Sequence, residues 1–284
     1  MNIAIASGKG GTGKTTVATN LAVRLAEEQK ILLADLDVEE PNTGIFIRGV
    51  IKDEIIQYAM IPQWQEDNCS LCGKCRDMCN FNAILDLGKE ILIFPNLCHS
   101  CYACSELCPE SALPMTGQRI GITKLYDSAG LIHIESLLDV GQERAVPLIQ
   151  NTKKLIGEMF PDTGTIIYDA PPGTSCPVIE SVKDADFIVL VTEPTPFGLH
   201  DLEAAVTTFV PLDIPMGVVI NRSDSGNGAV TDYCTQNGLP VLARIPDQRK
   251  IAELYSRGSL IYTELDEFRH QMEEISERIS EITG

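Results

Sequence analysis

Eight of the ten cysteines in this chain fall within residues 69–108. Cys69, Cys72, Cys75 and Cys79 are followed by Cys98, Cys101, Cys104 and Cys108, so C-x2-C-x2-C-x3-C is written twice, with Pro109 directly after the second run. Thiolates at this spacing are ligands for iron–sulfur clusters. Zinc knuckles are usually built from paired C-x2-C units, whereas here three cysteines recur at x2 spacing before a fourth at x3. A disulfide framework suits a small secreted domain, and no signal peptide precedes these thiols. The repeat also extends past the cysteines, because CRDMCNFNAI aligns with CSELCPESAL.

The doubled run resembles bacterial-type ferredoxins, which hold two [4Fe–4S] clusters, the fourth cysteine of each run crossing to the other cluster. That resemblance implies Cys69, Cys72, Cys75 and Cys108 around one cluster, and Cys98, Cys101, Cys104 and Cys79 around the other. Asn80 stands where the first run would carry proline, which leaves all eight ligands in place. Residues 84–93 read as a hairpin turning at Gly88. A small cysteine-rich module has little hydrophobic core, so cluster binding is expected to drive its folding.

A second constellation lies at the start of the chain. The apolar run Ile3–Ala6 leads into Ser7-Gly8-Lys9-Gly10-Gly11-Thr12-Gly13-Lys14-Thr15-Thr16, and Val17, Leu21 and Leu25 then follow at helical spacing. This is G-x-x-x-x-G-K-[ST] between a strand and a helix. The glycines let backbone N–H groups close around a β-phosphate, and the helix N-terminus adds its positive end. Lys14 is placed to reach the β/γ-phosphates and the Thr15 hydroxyl to ligate Mg²⁺. A second strand delivers Asp35 and Asp37, and residues 165–173 present another strand ending in Asp169-Ala170-Pro171-Pro172-Gly173. Acids at strand C-termini lie beside the phosphate site in a doubly wound sheet, although either Asp35 or Asp37 could cap the turn that follows.

With Lys9 as a second lysine inside the loop, the chain resembles the deviant P-loop ATPases of the MinD/ParA/Mrp type, which include the nitrogenase iron protein. The resemblance implies that Lys9 reaches across a dimer to the opposite nucleotide. It makes residues 35–42 switch I, with Asp37 orienting the attacking water and Asp35 near the Mg²⁺ shell. Asp169 becomes the switch II acid holding a Mg²⁺-bound water, and Gly173 a backbone donor to the γ-phosphate. It assigns Asn221, followed by Arg222, to the adenine edge, favouring ATP. Cys176 matches a bridging-cluster ligand of the iron protein, but the companion cysteine has no counterpart, and packing is the ordinary use of such a residue. Cys234 reads as packing alone, and the C-terminal C-x-x-C pair of Mrp-type carriers is absent.

The expected fold is α/β: a mostly parallel, doubly wound P-loop sheet interrupted by a small ferredoxin-like domain. The divisions are 1–57 and 116–284 for the ATPase and 58–115 for the insert, which carries three basic against seven acidic residues. Residues 119–124 and 131–136 read as short strands, and His99, His133, His200 and His270 show no ligand spacing. Leu265, Phe268, Met272, Ile275, Ile279 and Ile282 form an apolar stripe on a C-terminal helix that docks on the domain or a partner.

Lys plus Arg number 22 against 40 Asp plus Glu, a net charge of −18. That balance disfavours nucleic acid and anionic lipid surfaces, and the terminal helix is acidic, so stable membrane binding is not expected. Reduced thiolates point to the cytoplasm. Expected cofactors are ATP, Mg²⁺ and two [4Fe–4S] clusters. The expected assembly is an ATP-sandwiched dimer, of two copies or with a similar subunit, serving a redox donor and acceptor. The readings left open are nucleotide-coupled electron transfer, iron–sulfur cluster delivery, and a positioning ATPase with redox-sensing clusters.

Overall fold

Ile3 and Ile5 pack on one side of the sheet and Ala4 and Ala6 on the other, and Ile31 and Leu33 are likewise separated from Leu32 and Ala34. This period of two, buried on both faces, is what a central parallel strand requires. The computed structural model describes residues 1–284 except Ala129, Ser225 and Asn227. In chain order the elements are β1 (Asn2–Ala6), α1 (Lys14–Ala26), β2 (Ile31–Asp35), β3 (Val50–Pro62), α2 (Lys74–Met78), β4 (Ile84–Asp86), β5 (Ile91–Ile93), α3 (Ala103–Glu106), β6 (Met115–Ser128) and β7 (Leu131–Leu138). They continue with α4 (Ala145–Met159), β8 (Thr165–Asp169), α5 (Cys176–Val182), β9 (Phe187–Thr192), α6 (Pro196–Phe209), β10 (Met216–Asn221), α7 (Ala229–Gln236), β11 (Val241–Ile245), α8 (Arg249–Ser256) and α9 (Asp266–Thr283).

The main sheet runs β11-β10-β9-β1-β8-β2-β7-β6-β3. Neighbours from β11 to β7 are parallel, whereas β7–β6 and β6–β3 are antiparallel. Helices α4, α5, α6 and α7 cover one face through Leu148, Ile149, Val178, Leu202, Phe209 and Val230. Helices α1, α8 and α9 cover the other through Val17, Leu21, Leu254, Phe268, Met272 and Ile275. The apolar stripe of α9 therefore docks on its own domain, with Phe268, Met272, Ile275 and Ile279 buried. Ile282, at the end of that stripe, stays 42% exposed.

The antiparallel edge is longer than the sequence pattern suggested. β3 pairs with β6 from Val50↔Asp127 to Pro62↔Met115, with two register shifts. Residues 50–54 are exposed, so they carry no apolar alternation, and only Gln57, Ala59 and Ile61 mark the buried face further along. This ribbon leads into residues 63–114, whose entry and exit are tied by Gln63 N–H to the Pro114 carbonyl and Gln65 N–H to that of Ala112. There β4 and β5 form the expected hairpin, Ile84 opposite Ile93. Ala83 and Cys98 are buried in the same apolar cluster as Ala59, Ile61 and Leu148, so the lobe rests against the α4 side of the sheet.

Candidate functional site

The P-loop is folded by backbone demands that the sequence meets. Gly11 and Gly13 have φ of 78° and 98°, a region L side chains rarely enter. A Cβ on Gly13 would also lie 2.5 Å from the Asn221 amide nitrogen. That amide donates to the Thr12 carbonyl at 2.8 Å, while the Asn221 carbonyl oxygen accepts from Arg222 N–H at 3.0 Å. Asn221 thus braces the loop from β10, and both ends of its side chain are engaged there.

Lys14 is 8% exposed, and burial lowers its pKa, with Asp169, Asp37 and Asp35 opposing that shift by their charges. Asp169 Oδ2 accepts from the Thr15 hydroxyl at 2.6 Å. Its Oδ1 is buried without a partner, and burial drives the carboxyl upward. An orphaned carboxylate oxygen beside a helix-N-terminal hydroxyl fits a hard divalent cation, so Thr15 and Asp169 are suited to Mg²⁺.

Asp35 is placed differently from the expectation. One of its carboxylate oxygens accepts from Asp37 N–H at 3.0 Å; the other accepts from Asn42 N–H, Thr43 N–H and the Thr43 hydroxyl at 2.8–2.9 Å. It closes the switch I turn, as Asp commonly does, and burial with the nearby Asp169 charge raises its pKa. Asp37 is half-buried, pushed up by burial, with the Glu40 amide and Lys14 pulling it back. It is the more available of the two acids.

Sequence reasoning missed what holds this turn from outside. The Thr43 hydroxyl donates to Asp35, so it accepts from His133 Nε2–H at 2.8 Å. Gly44 N–H donates to Glu135 at 2.7 Å. His133 is fully buried, and desolvation lowers its pKa to about 4 despite Glu135 nearby. Its Nδ1 has no partner, as a neutral Nε2–H tautomer leaves it. No spacing in the sequence could have paired Thr43 with His133; register between β2 and β7 brings them together.

Switch II shows the same economy of contacts. Gly173, at φ 96°, donates its N–H to the Ser7 carbonyl at 3.0 Å, so reaching a γ-phosphate requires this loop to leave the P-loop. Lys9 is held within its own chain: its Nζ lies 3.7 Å from Glu193, which also accepts from Arg222 at 2.6 Å. Arg222 has φ 52° and side-chain bonding to Glu193. Glu193 carried no sequence signal.

In the lobe the cysteine repeat becomes a conformational repeat. Leu71 and Ser100, Gly73 and Tyr102, and Asn82 and Ser111 occupy matching places in the two runs, all with φ between 52° and 72°. Ala83 N–H points to Cys79 Sγ and Ala112 N–H to Cys108 Sγ, each at 3.3 Å. One cavity is lined by Cys69, Cys72, Cys75 and Cys108; another by Cys79, Cys98, Cys101 and Cys104. Among the described residues no thiol, imidazole and carboxylate group converges on a point as a single metal ion needs. Four thiols spread around each cavity, with amides aimed at sulfur, fit a multinuclear cluster. Burial raises the thiols of Cys75, Cys98 and Cys104, the last to about 11, so ionisation requires a metal partner.

The two regions meet at an open cleft of about 520 Å³. Phe81, His99 and Cys101 line it from the lobe, and Gln150, Cys176 and Glu180 from α4 and α5. His99 stacks on Phe81 with ring centroids 3.8 Å apart. Cys176 is exposed here and does not pack in the core, because it opens α5 just after the switch II loop; Cys234 is buried in α7 as expected.

Strand–loop–helix geometry, a buried loop lysine and a Thr–Asp pair at the sheet's C-terminal edge define a P-loop nucleotide-binding protein. The chain matches the CobQ/CobB/MinD/ParA nucleotide binding domain over residues 3–261 and belongs to that family. It is a ParA/MinD-like P-loop ATPase. An uncharacterized protein of Methanocaldococcus jannaschii is 29% identical over 282 residues, spanning 97% of this chain and 96% of its own length. The iron-sulfur cluster carrier protein of Aquifex aeolicus is 25% identical over 91% of this chain and 61% of its own length. The fold is similar to that of the septum site-determining protein MinD complexed with Mg-ADP from Pyrococcus horikoshii, with a TM-score of 0.61, 20% identity and coverage of 100% and 97% of the two chains. No helix among the described residues is long and apolar enough to cross a membrane.

Proposed function

We propose that this protein is a Mg²⁺-dependent ATPase that works as a nucleotide-bridged dimer and couples its cycle to electron transfer. In this reading residues 58–115 form a two-cluster ferredoxin domain, with Cys69, Cys72, Cys75 and Cys108 holding one [4Fe–4S] cluster and Cys79, Cys98, Cys101 and Cys104 the other. Bound clusters supply one-electron transfer between a donor and an acceptor protein. Lys14 neutralises the β/γ-phosphates, Thr15 and Asp169 hold Mg²⁺, and Asp37 orients the attacking water. Lys9 leaves Glu193 to reach the nucleotide across the dimer, and Asn221 with Arg222 borders the base.

The observation that supports coupling is the cleft shared by Cys101 and Cys176. Gly173 must release Ser7 to contact a γ-phosphate, and α5, which begins three residues later at Cys176, forms one wall of that cleft. A loop with two positions would thereby move one wall against the lobe. Steady-state reduction of a one-electron acceptor should depend on ATP; reduction indifferent to ATP overturns the coupling.

A second reading, iron–sulfur cluster delivery, draws on the names of relatives such as the Aquifex aeolicus carrier. It predicts labile clusters that pass to an apo-protein. Eight thiols in two sets, each around its own cavity, favour resident clusters. Clusters retained during incubation with apo-ferredoxin would separate the two readings.

A further inference from the structure

Arg144 sits at the N-terminal end of α4, between the main sheet and the lobe, and is 4% exposed. Its Nη2 donates to Gln142 at 2.8 Å, but Nε and Nη1 are buried without any hydrogen-bond partner. No carboxylate among the described residues forms an ion pair with it. Guanidinium remains protonated in proteins, so this is a buried, half-satisfied cation, an arrangement that is strongly unfavourable without a counter-charge. Val146, two residues on, lines the cleft together with His99, Ser100 and Cys101, which brings the segment carrying this guanidinium to the second cysteine run, and Cys98 is the group whose charge bears on it. Cys98 is one of the four thiols of the second cavity.

The first cavity has no equivalent. Lys74 lines it but is exposed, and Arg76 nearby is engaged by Asp77 at 2.6 Å. Solvent screens an exposed ammonium, whereas a guanidinium removed from water acts at full strength on what it faces. Four thiolates around a [4Fe–4S] core make a net anion, and reduction adds one more negative charge. A buried cation stabilises the reduced form more than the oxidised one, and local charge and N–H···S bonds are the ordinary determinants of cluster potential.

We infer that Arg144 is the counter-charge of the cluster held by Cys79, Cys98, Cys101 and Cys104, and that it holds this cluster's reduction potential above that of the other. The inference rests on the two-cluster reading and extends it by making the clusters unequal. A singly reduced protein then carries its electron on the cluster nearer α4 and the nucleotide domain. Arg144 is a positioning and charge-setting residue here; it ligates nothing.

The test is an EPR-monitored potentiometric titration of the purified holoprotein with dithionite as reductant, alongside iron and sulfide analysis. Two separate midpoints are expected, with the signal perturbed or lost in Cys101→Ser assigned to the higher one. Arg144→Gln should lower that midpoint alone, bringing it toward the other. Arg144→Lys should keep most of the difference, because it retains the charge. Lys74→Gln should leave both midpoints in place. Two full clusters with unshifted midpoints in Arg144→Gln would overturn the inference, as would a loss of the difference in Arg144→Lys equal to that in Arg144→Gln. Failure of the two-cluster reading looks different: wild-type protein reconstituted anaerobically would lack about eight irons per chain.

Discussion

Around the nucleotide loop, each turn is held by side chains that reach in from distant strands. Asn221 braces Thr12, Asp35 gathers three backbone amides and a hydroxyl, and His133 and Glu135 fix Thr43 and Gly44. In the cysteine lobe the turns have no such support. Leu71, Asn82, Ser100, Tyr102 and Ser111 all adopt left-handed backbone, at a cost of about 1–2 kcal/mol each, and the amide-to-sulfur contacts run to the thiols themselves. One site is pre-formed by the fold that surrounds it. The other is a set of left-handed turns gathered around two groups of four thiols.

That contrast is open to direct attack. The largest expected effect is on the lobe: iron removal by an anaerobic chelator should abolish amide protection throughout residues 69–108 and leave β1, β8 and β9 protected. Hydrogen exchange read by mass spectrometry checks this, and a protected lobe in iron-free protein would show that the left-handed turns are self-supporting. Next, Lys14→Ala should reduce ATP turnover by about 10²–10³-fold, the usual loss for one preorganised charge-stabilising group. Iron content and amide exchange of the lobe should not change, because Lys14 lines neither thiol cavity. A phosphate-release assay and an iron assay on the same preparation measure both.

A smaller effect isolates the pre-formed switch I turn. The folded pKa of His133, about 4, lies below the ordinary 6.5 of the unfolded chain. Protonation therefore favours unfolding, and stability complete above the unfolded value is lost as pH falls from about 6.5 toward 4. At about 1.4 kcal/mol per unit, the loss between pH 7 and pH 4.5 should be about 2–3 kcal/mol for this group. Urea unfolding of wild type and His133→Gln at both pH values gives the difference. An equally steep acid loss in the variant would remove His133 as the cause.

The same contrast explains what the sequence could disclose. The cysteine runs and the loop Gly8–Thr15 concentrate their chemistry in a few consecutive residues, so spacing marked both regions, while the expected ligand partition came from the resemblance to ferredoxins. The buried strands were legible because short apolar runs such as Ile3–Ala6 and Ile31–Ala34 are unbroken by polar residues. Residues whose partners are far away in the chain gave no such signal. Glu193 and His133 meet Lys9 and Thr43 only through the packing of distant strands, and the start of α4 meets the second cysteine run only through lobe docking. Asp35 was legible as an acid at a strand end, but only the path of residues 37–43 decides that its oxygens face the turn. Cys176 read as a packing residue because that is the ordinary use of a free cysteine, and its exposure follows from its place at the start of α5, just after the switch II loop.

Nucleotide state and cluster chemistry are joined in this account by one structural feature, the cleft between the lobe and α5. The most direct measurement is the midpoint potential of each cluster in the same holoprotein, titrated first with Mg-ADP and then with a nonhydrolysable Mg-ATP analogue. A nucleotide-dependent shift, larger for the cluster of Cys79, Cys98, Cys101 and Cys104 that borders the cleft, is the predicted result. Identical potentials in the two states, with both nucleotides shown to be bound, would contradict it.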